Sequence, residues 1–227
     1  MTYHSIFREE RMTTQTENTR AKSTREKSSK SSGALALRDE TWELIREKGK
    51  LLATNCERAM SELGDMFASG FSPTLLDSAT EGMLVGWSVN PLADKVLSRI
   101  TGLWLPWVGK RFNRESNTGD NLMTREARFG AKALWPLYKF SDFEGKTAGF
   151  SFTTWVEKGK EDPETDVLVI DYASVKSNPR LIIKSIRDEL VEVVPGANLG
   201  KMLWRSGNGE SAKYTLLAYF ALKSPID

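Results

Sequence analysis

From residue 79 to residue 223 the chain is built mostly of short apolar runs separated by turn residues, each run about the length of a strand. Segments 81–89 (EGMLVGWSV), 104–113, 146–157, 166–172 (DVLVIDY), 198–205 and 214–223 read as strands. The last two are joined through Gly207, Asn208 and Gly209, a hairpin signal. In 146–157 strict alternation puts Ala148, Phe150, Phe152, Thr154 and Val156 on one face and Gly149, Ser151, Thr153 and Trp155 on the other. Segment 166–172 is apolar on both faces, which predicts a central strand. Two stretches read as helix instead. One is 90–100, with Leu92, Val96 and Ile100 at four-residue steps and Gly102 behind them. The other is 178–194, where Ile182, Ile183, Ile186, Leu190, Val193 and Val194 fit one helical face before Pro195-Gly196. About seven strands, many apolar on both faces, predict a closed or nearly closed antiparallel barrel, because closure removes exposed edges. A β-sandwich is the alternative.

Ahead of this domain the texture differs. In residues 39–68, Trp42, Ile45, Leu52, Met60, Leu63 and Phe67 recur at helical steps with charges between them. Asp39 or Thr41 is placed to cap the start, Gly49 and Gly64 to split the helix, and Gly70 to Pro73 to end it, with a short helical turn over 73–78. The fold class is therefore mainly β (α+β), an antiparallel β-barrel over 79–227 with an N-terminal helical arm over 34–78. The arm's apolar stripe suits packing across the barrel's mouth or flank; a homodimer through the arm is the other use of such a stripe. Residues 1–33 are rich in Ser, Thr, Lys, Arg, Glu and Gln, and too poor in apolar area to offset the entropy of ordering, so they read as a disordered basic tail. Glu9, Glu10, Glu17 and Glu26 argue against a transit peptide, and Met12 is a second candidate start.

Charge and rare residues exclude several functions. The tail holds seven Lys and Arg against four Asp and Glu, so a chain of net charge +2 leaves its body slightly acidic. This argues against nucleic acid as a partner. One cysteine, Cys56, no N-glycosylation sequon and no run of eighteen apolar residues point to a cytoplasmic protein that does not span a membrane. The only histidine, His4, lies in the tail, so the folded part has no histidine base, no Ser-His-Asp triad and no histidine-ligated metal. No phosphate-binding loop is present, and Gly207 with Gly209 lacks the third glycine of a dinucleotide fold. No cofactor and no metal are expected.

Proton chemistry then falls to carboxylates, amines and phenols near strand ends. Segment 103–121 (LWLPWVGKRFNRESNTGDN) sets Trp107, Gly109 and Arg111 on one face of a strand and Val108, Lys110 and Phe112 on the other. The plain account is an edge strand with a snorkelling Lys110 and a bulge at Gly109; the functional one is a cation aimed into a cavity. Asp171 and Tyr172 close an apolar strand. Lys110, Arg111, Asp171 and Tyr172 are thus the candidate catalytic residues, ahead of Arg187, Asp188 and Glu189, which as a helical cluster read as a solvated face. Asp171 is the preferred acid or base, since a carboxylate in an apolar site has its pKa raised. Trp107, Phe112, Phe150, Phe152, Trp155, Met202 and Trp204 are the candidate ligand-lining residues.

The succession EGMLVG (81–86), LPWVGKRF (105–112), GDN (119–121), VIDY (169–172), NP (178–179), IRDEL (186–190), PG with LGKM (195–202) and YFAL (219–222) resembles a family of mostly uncharacterised bacterial proteins with lipocalin-like β-barrels. It spans 81–222, under two-thirds of the chain, and excludes the arm. The resemblance implies a barrel with a central hydrophobic cavity for a small molecule and supplies no catalytic residue. Three functions follow as expectations: binding of a lipid, polyketide or terpenoid-like molecule in the cavity; cofactor-independent cyclisation or isomerisation of such a molecule; or scaffolding through the arm.

Overall fold

The computed structural model describes residues 31–74, 76–88, 106–180, 182–207 and 209–226. The tail over 1–30 and the helix expected over 90–100 lie outside them. Helix α1 occupies 31–51 and α2 Cys56–Ala68. The strands are β1 (Glu81–Trp87), β2 (Trp107–Asn113), β3 (Thr118–Met123), β4 (Ser141–Phe143), β5 (Lys146–Lys158), β6 (Asp166–Asp171), β7 (Ile186–Val194), β8 (Ala197–Ser206) and β9 (Lys213–Lys223). Between β3 and β4 lies the short helix α3 (Ala127–Leu134).

Every ladder is antiparallel, in the order β1-β9-β8-β7-β6-β5-β3-β2, with β4 alongside β5. The two ends of this sheet meet. The residues leading into β1 pair with β2: Thr80 N donates to Lys110 O at 2.8 Å, Phe112 N donates to Ser78 O at 2.9 Å, and Ala79 bridges Arg111. The result is a nearly closed barrel, as the strand pattern predicts. Closure depends on Gly109. Its φ of +148° suits glycine, and a Cβ there would sit 2.1 Å from Thr80 O. Gly109 also marks the bulge at which the β2–β3 register shifts between Trp107 and Gly109. The shift corrects the expected faces of β2, because Trp107 now joins Lys110 and Phe112 inside the barrel.

Among the described residues the core falls into two parts. Inside the barrel lie Trp107, Phe112, Phe152, Ile170, Leu190, Met202 and Phe220 among others. Outside it, Trp42 and Ile45 of α1 and Leu63 and Phe67 of α2 pack on Val167, Val169, Val191 and Leu199. Burying side chains of this size stabilises by about 1.5–3 kcal/mol each, and this fixes the arm on the barrel's flank. Thus β6 and β7 are covered on both faces. The same fact explains why residues 186–194 form a strand and not the expected helix. Ile186, Asp188 and Leu190 point inward while Arg187, Glu189 and Val191 point outward, so apolar residues occur at both parities and imitate helical spacing.

The arm also departs from expectation in detail. Helix α1 runs through Asp39 and Thr41, so neither caps it, and it continues past Gly49, where Val85 O would lie 2.5 Å from an added Cβ. The break falls at 52–55. Asn55 caps α2 by accepting from Arg58 N at 3.2 Å, and Gly64 lies within α2. The described residues of 73–78 are not helical.

Candidate functional site: a buried lysine cluster in the barrel

Lys110 is fully buried, and its stem leaves β2 into the apolar interior. Its Nζ donates to Asn121 Oδ1 on β3 at 2.8 Å, to Tyr172 OH just beyond β6 at 2.6 Å, and to Asp188 Oδ2 on β7 at 2.8 Å. Three acceptors around one nitrogen match the three N–H bonds of an ammonium. Tyr172 OH accepts also from Asn121 Nδ2 at 3.1 Å and donates to Asp188 Oδ2 at 2.8 Å, so the four side chains form one network. Trp107 Nε1 joins it through Asn121 Oδ1 at 3.2 Å.

The surroundings set the electrostatics. Lys110 Nζ lies over the rings of Trp107, Phe152, Tyr172 and Phe220, 5.3–5.6 Å from their centres and within cation–π range. Burial pushes the Lys110 amine below its ordinary pKa, while the charge of Asp188 works to keep it protonated. Burial and then the Asp188 charge push the Tyr172 phenol well above its usual range, so it is a neutral hydrogen-bond donor. Asp188 Oδ1 is buried and has no hydrogen-bond partner among the described residues. A buried ion pair with a spare acceptor is expensive to keep in a barrel core, which marks this cluster as the candidate site.

A cavity of about 20 Å³ adjoins the cluster, lined by Trp107, Asn121, Met123, Phe150, Tyr172, Ile183 and Ile186. That is room for about one water-sized group. The mouth above it is closed by aromatics. Trp135 meets Phe150 edge-on at 5.2 Å, and Tyr138 stacks on Phe150 at 5.0 Å. Phe150 sits at a bulge of β5 with φ of +50°, and its N–H donates to Tyr138 OH at 2.5 Å. Outside these rings a cleft of about 390 Å³ runs between 134–138 and Ser177, Pro179 and Arg180. Trp135 Nε1, buried, has no partner among the described residues.

No protein family, curated protein or solved structure matches this chain. Function must therefore be argued from the site.

Of the candidate catalytic residues, Lys110 and Tyr172 are brought together and the other two are not. Arg111 faces outward and pairs with Asp120, and Asp171, on the outer face of β6, accepts from Ser174 N at 2.9 Å to hold a turn. The carboxylate beside Lys110 is Asp188, expected on a solvated helix face. Had 186–190 been read with period two, Asp188 would have fallen between Ile186 and Leu190 on the inner face. Asn121, a member of the cluster that is not among the expected site residues, lies within β3. Arg187 and Glu189 form a separate outer network: Arg187 bonds Glu189 at 2.8 Å and Glu157 at 2.7 Å. Burial raises the Glu189 pKa despite Arg187.

The aromatic candidates divide similarly. Trp107 and Phe150 line the cavity, Phe112, Phe152 and Met202 fill the inner core, and Trp204 packs partly buried against it. Trp155 is 39% exposed and outside the barrel, where its Nε1 donates to Glu157 at 2.9 Å. Among the described residues, no three His, Cys, Asp or Glu side chains cluster so as to hold a metal ion.

Proposed function

We propose that this protein binds a small, mostly apolar molecule carrying one hydrogen-bond acceptor, such as a carbonyl or carboxyl, within the mouth of its barrel. The observation that carries the reading is the pairing of an apolar, aromatic-lined pocket with Asn121 and Tyr172 at its inner end, directly against Lys110 and Asp188. The cavity is about 20 Å³, so a guest larger than one small group displaces the rings of Phe150, Trp135 and Tyr138 and extends into the outer cleft. Those rings pack on one another, and moving Tyr138 breaks its hydrogen bonds with Phe150 N and Asn178 Oδ1, so the guest must offset that loss. The test is a panel of fatty acids, terpenoids and aromatic ketones titrated against intrinsic tryptophan fluorescence, because Trp107 lines the pocket. One-to-one quenching that is lost in Ile186→Trp, with the circular dichroism unchanged, is the expected result. Absence of binding by every class in the panel overturns the reading.

A second reading is favoured by the same cluster: cofactor-independent cyclisation or isomerisation. Tyr172 OH can turn its one hydrogen bond from Asp188 Oδ2 to a substrate carbonyl, where the adjacent Lys110 ammonium adds its charge against the negative charge growing there, and Asp188 keeps its ion pair with Lys110. Turnover of a bound polyene or enone that falls at least about a hundredfold, or about 2.7 kcal/mol, in Tyr172→Phe with binding kept would favour it. Equal turnover would leave binding alone.

A further inference from the structure

Helix α3 is inverted. The residue it buries is small, Ala131 at 5% exposure, while its large apolar residues face solvent: Phe129 is 81% exposed and Leu134 48%, and Leu137 just beyond the helix is 93% exposed. On helical geometry Phe129, Gly130, Ala133 and Leu134 share one arc with Lys132 near its edge, while Arg128 lies further round the helix and Arg125 in the turn before it. This is the arrangement of a helix lying in a lipid interface, with apolar side chains inward and cations at headgroup level.

Charge completes the pattern. Segments 124–146 and 173–185, which surround the mouth, hold eight Lys and Arg against three Asp and Glu, net +5 in a chain of net +2, so the rest of the sequence is net −3. The acids of the collar are Glu126, Asp142 and Glu144; Asp142 pairs with Arg128 at 3.5 Å, and Lys132 donates to Pro136 O at 3.2 Å. Arg125, Lys139 and Arg180 have no ion-pair partner among the described residues.

We infer that α3 and the loop behind it dock the mouth of the barrel onto an anionic lipid surface, with Phe129, Leu134 and Leu137 entering the headgroup layer and Arg125, Arg128, Lys132, Lys139 and Arg180 contacting lipid phosphates. A bilayer is the occupant that the charge selects: the collar is net +5, and its cations, on long flexible stems, flank exposed apolar side chains. The inference stands whatever the pocket binds.

The full chain is sedimented with phosphatidylcholine vesicles with and without phosphatidylglycerol. Binding is expected to require phosphatidylglycerol, to weaken with salt, and to fall about tenfold or more in Phe129→Ser/Leu137→Ser. Arg125→Gln/Lys132→Gln should weaken it too, with a flatter salt dependence. Arg125, Phe129 and Leu137 are exposed and Lys132 is partly buried, and unchanged urea midpoints should show the variants folded. Three results overturn the inference: no binding to either vesicle; equal binding by the Phe129/Leu137 variant, which assigns attachment to the basic tail; or self-association in solution that the same variant abolishes, which makes the occupant a second copy.

Discussion

Lys110 Nζ and Asp188 Oδ2 meet at 2.8 Å inside the barrel, from β2 and β7, strands that share no ladder. The pair therefore spans the interior and ties opposite walls of the barrel to each other. Its Coulombic attraction is strong in an apolar interior, and the desolvation cost is of the same order. What decides the effect of a mutation is whether a charge is left alone.

Lys110→Met leaves Asp188 buried without its cation and should cost about 3–5 kcal/mol in urea denaturation. Lys110→Met/Asp188→Leu removes both charges and should recover most of that loss. A double variant no more stable than the single one would show that the pair itself contributes the stability. Asp171→Ala, by contrast, removes only a turn-holding acceptor and should cost about 1 kcal/mol.

Tyr172→Phe keeps the ring against Phe152 and deletes the hydroxyl that links Lys110, Asn121 and Asp188. The loss should be about 1–3 kcal/mol, because each partner keeps at least one other bond or neighbour. Lys110 should then titrate differently, which selective labelling of its ε-carbon would read by NMR. An unchanged Lys110 resonance would mean that the hydroxyl is a bystander.

Gly109→Ala tests closure. The added methyl would collide with Thr80 O, and the φ of +148° strains any L side chain. The β1–β2 seam should open, with a loss of about 2–4 kcal/mol and faster amide exchange at Thr80 and Phe112 than elsewhere in the sheet. Uniform protection across that seam would sink the proposed role.

The barrel was legible because strand-length apolar runs and turn residues are local signals: β5 alternates with period two, and β6, β8 and β9 are short apolar runs bounded by turn residues. The site was legible by half. Lys110 and Tyr172 stand out as polar residues flanked by apolar ones on strands, whereas Asp188 was hidden. A strand packed between the barrel core and a helical arm is apolar on both faces, so 186–194 keeps no alternation to show which charge points inward. The bulge at Gly109 concealed the rest, since one shifted residue moves Trp107 to the face of Lys110. The inverted face of α3 had no signature at all in spacing, because amphipathicity shows which residues share a side but not which side meets the protein.

The outer network predicts the acid limb of stability. Burial pushes the Glu157 carboxyl up, but hydrogen bonds from the Trp155 indole and Lys160, with the charge and bonds of Arg187, overcome it and hold the pKa at about 2. A carboxylate whose folded-state pKa lies below its unfolded value of about 4.3 contributes stability that is complete above the unfolded value and lost as pH falls through the folded one. Glu189 has the opposite sign: burial raises it, the folded state holds its proton longer than the unfolded chain, and its contribution falls as pH rises above about 4.3. Glu157→Gln removes the first effect and keeps the second. Urea midpoints taken between about pH 5 and about pH 2 should therefore fall steeply in the native protein and more gently in Glu157→Gln, the two curves converging at the acid end. Parallel curves would mean that Arg187 is satisfied by Glu189 alone and that Glu157 contributes nothing to the fold.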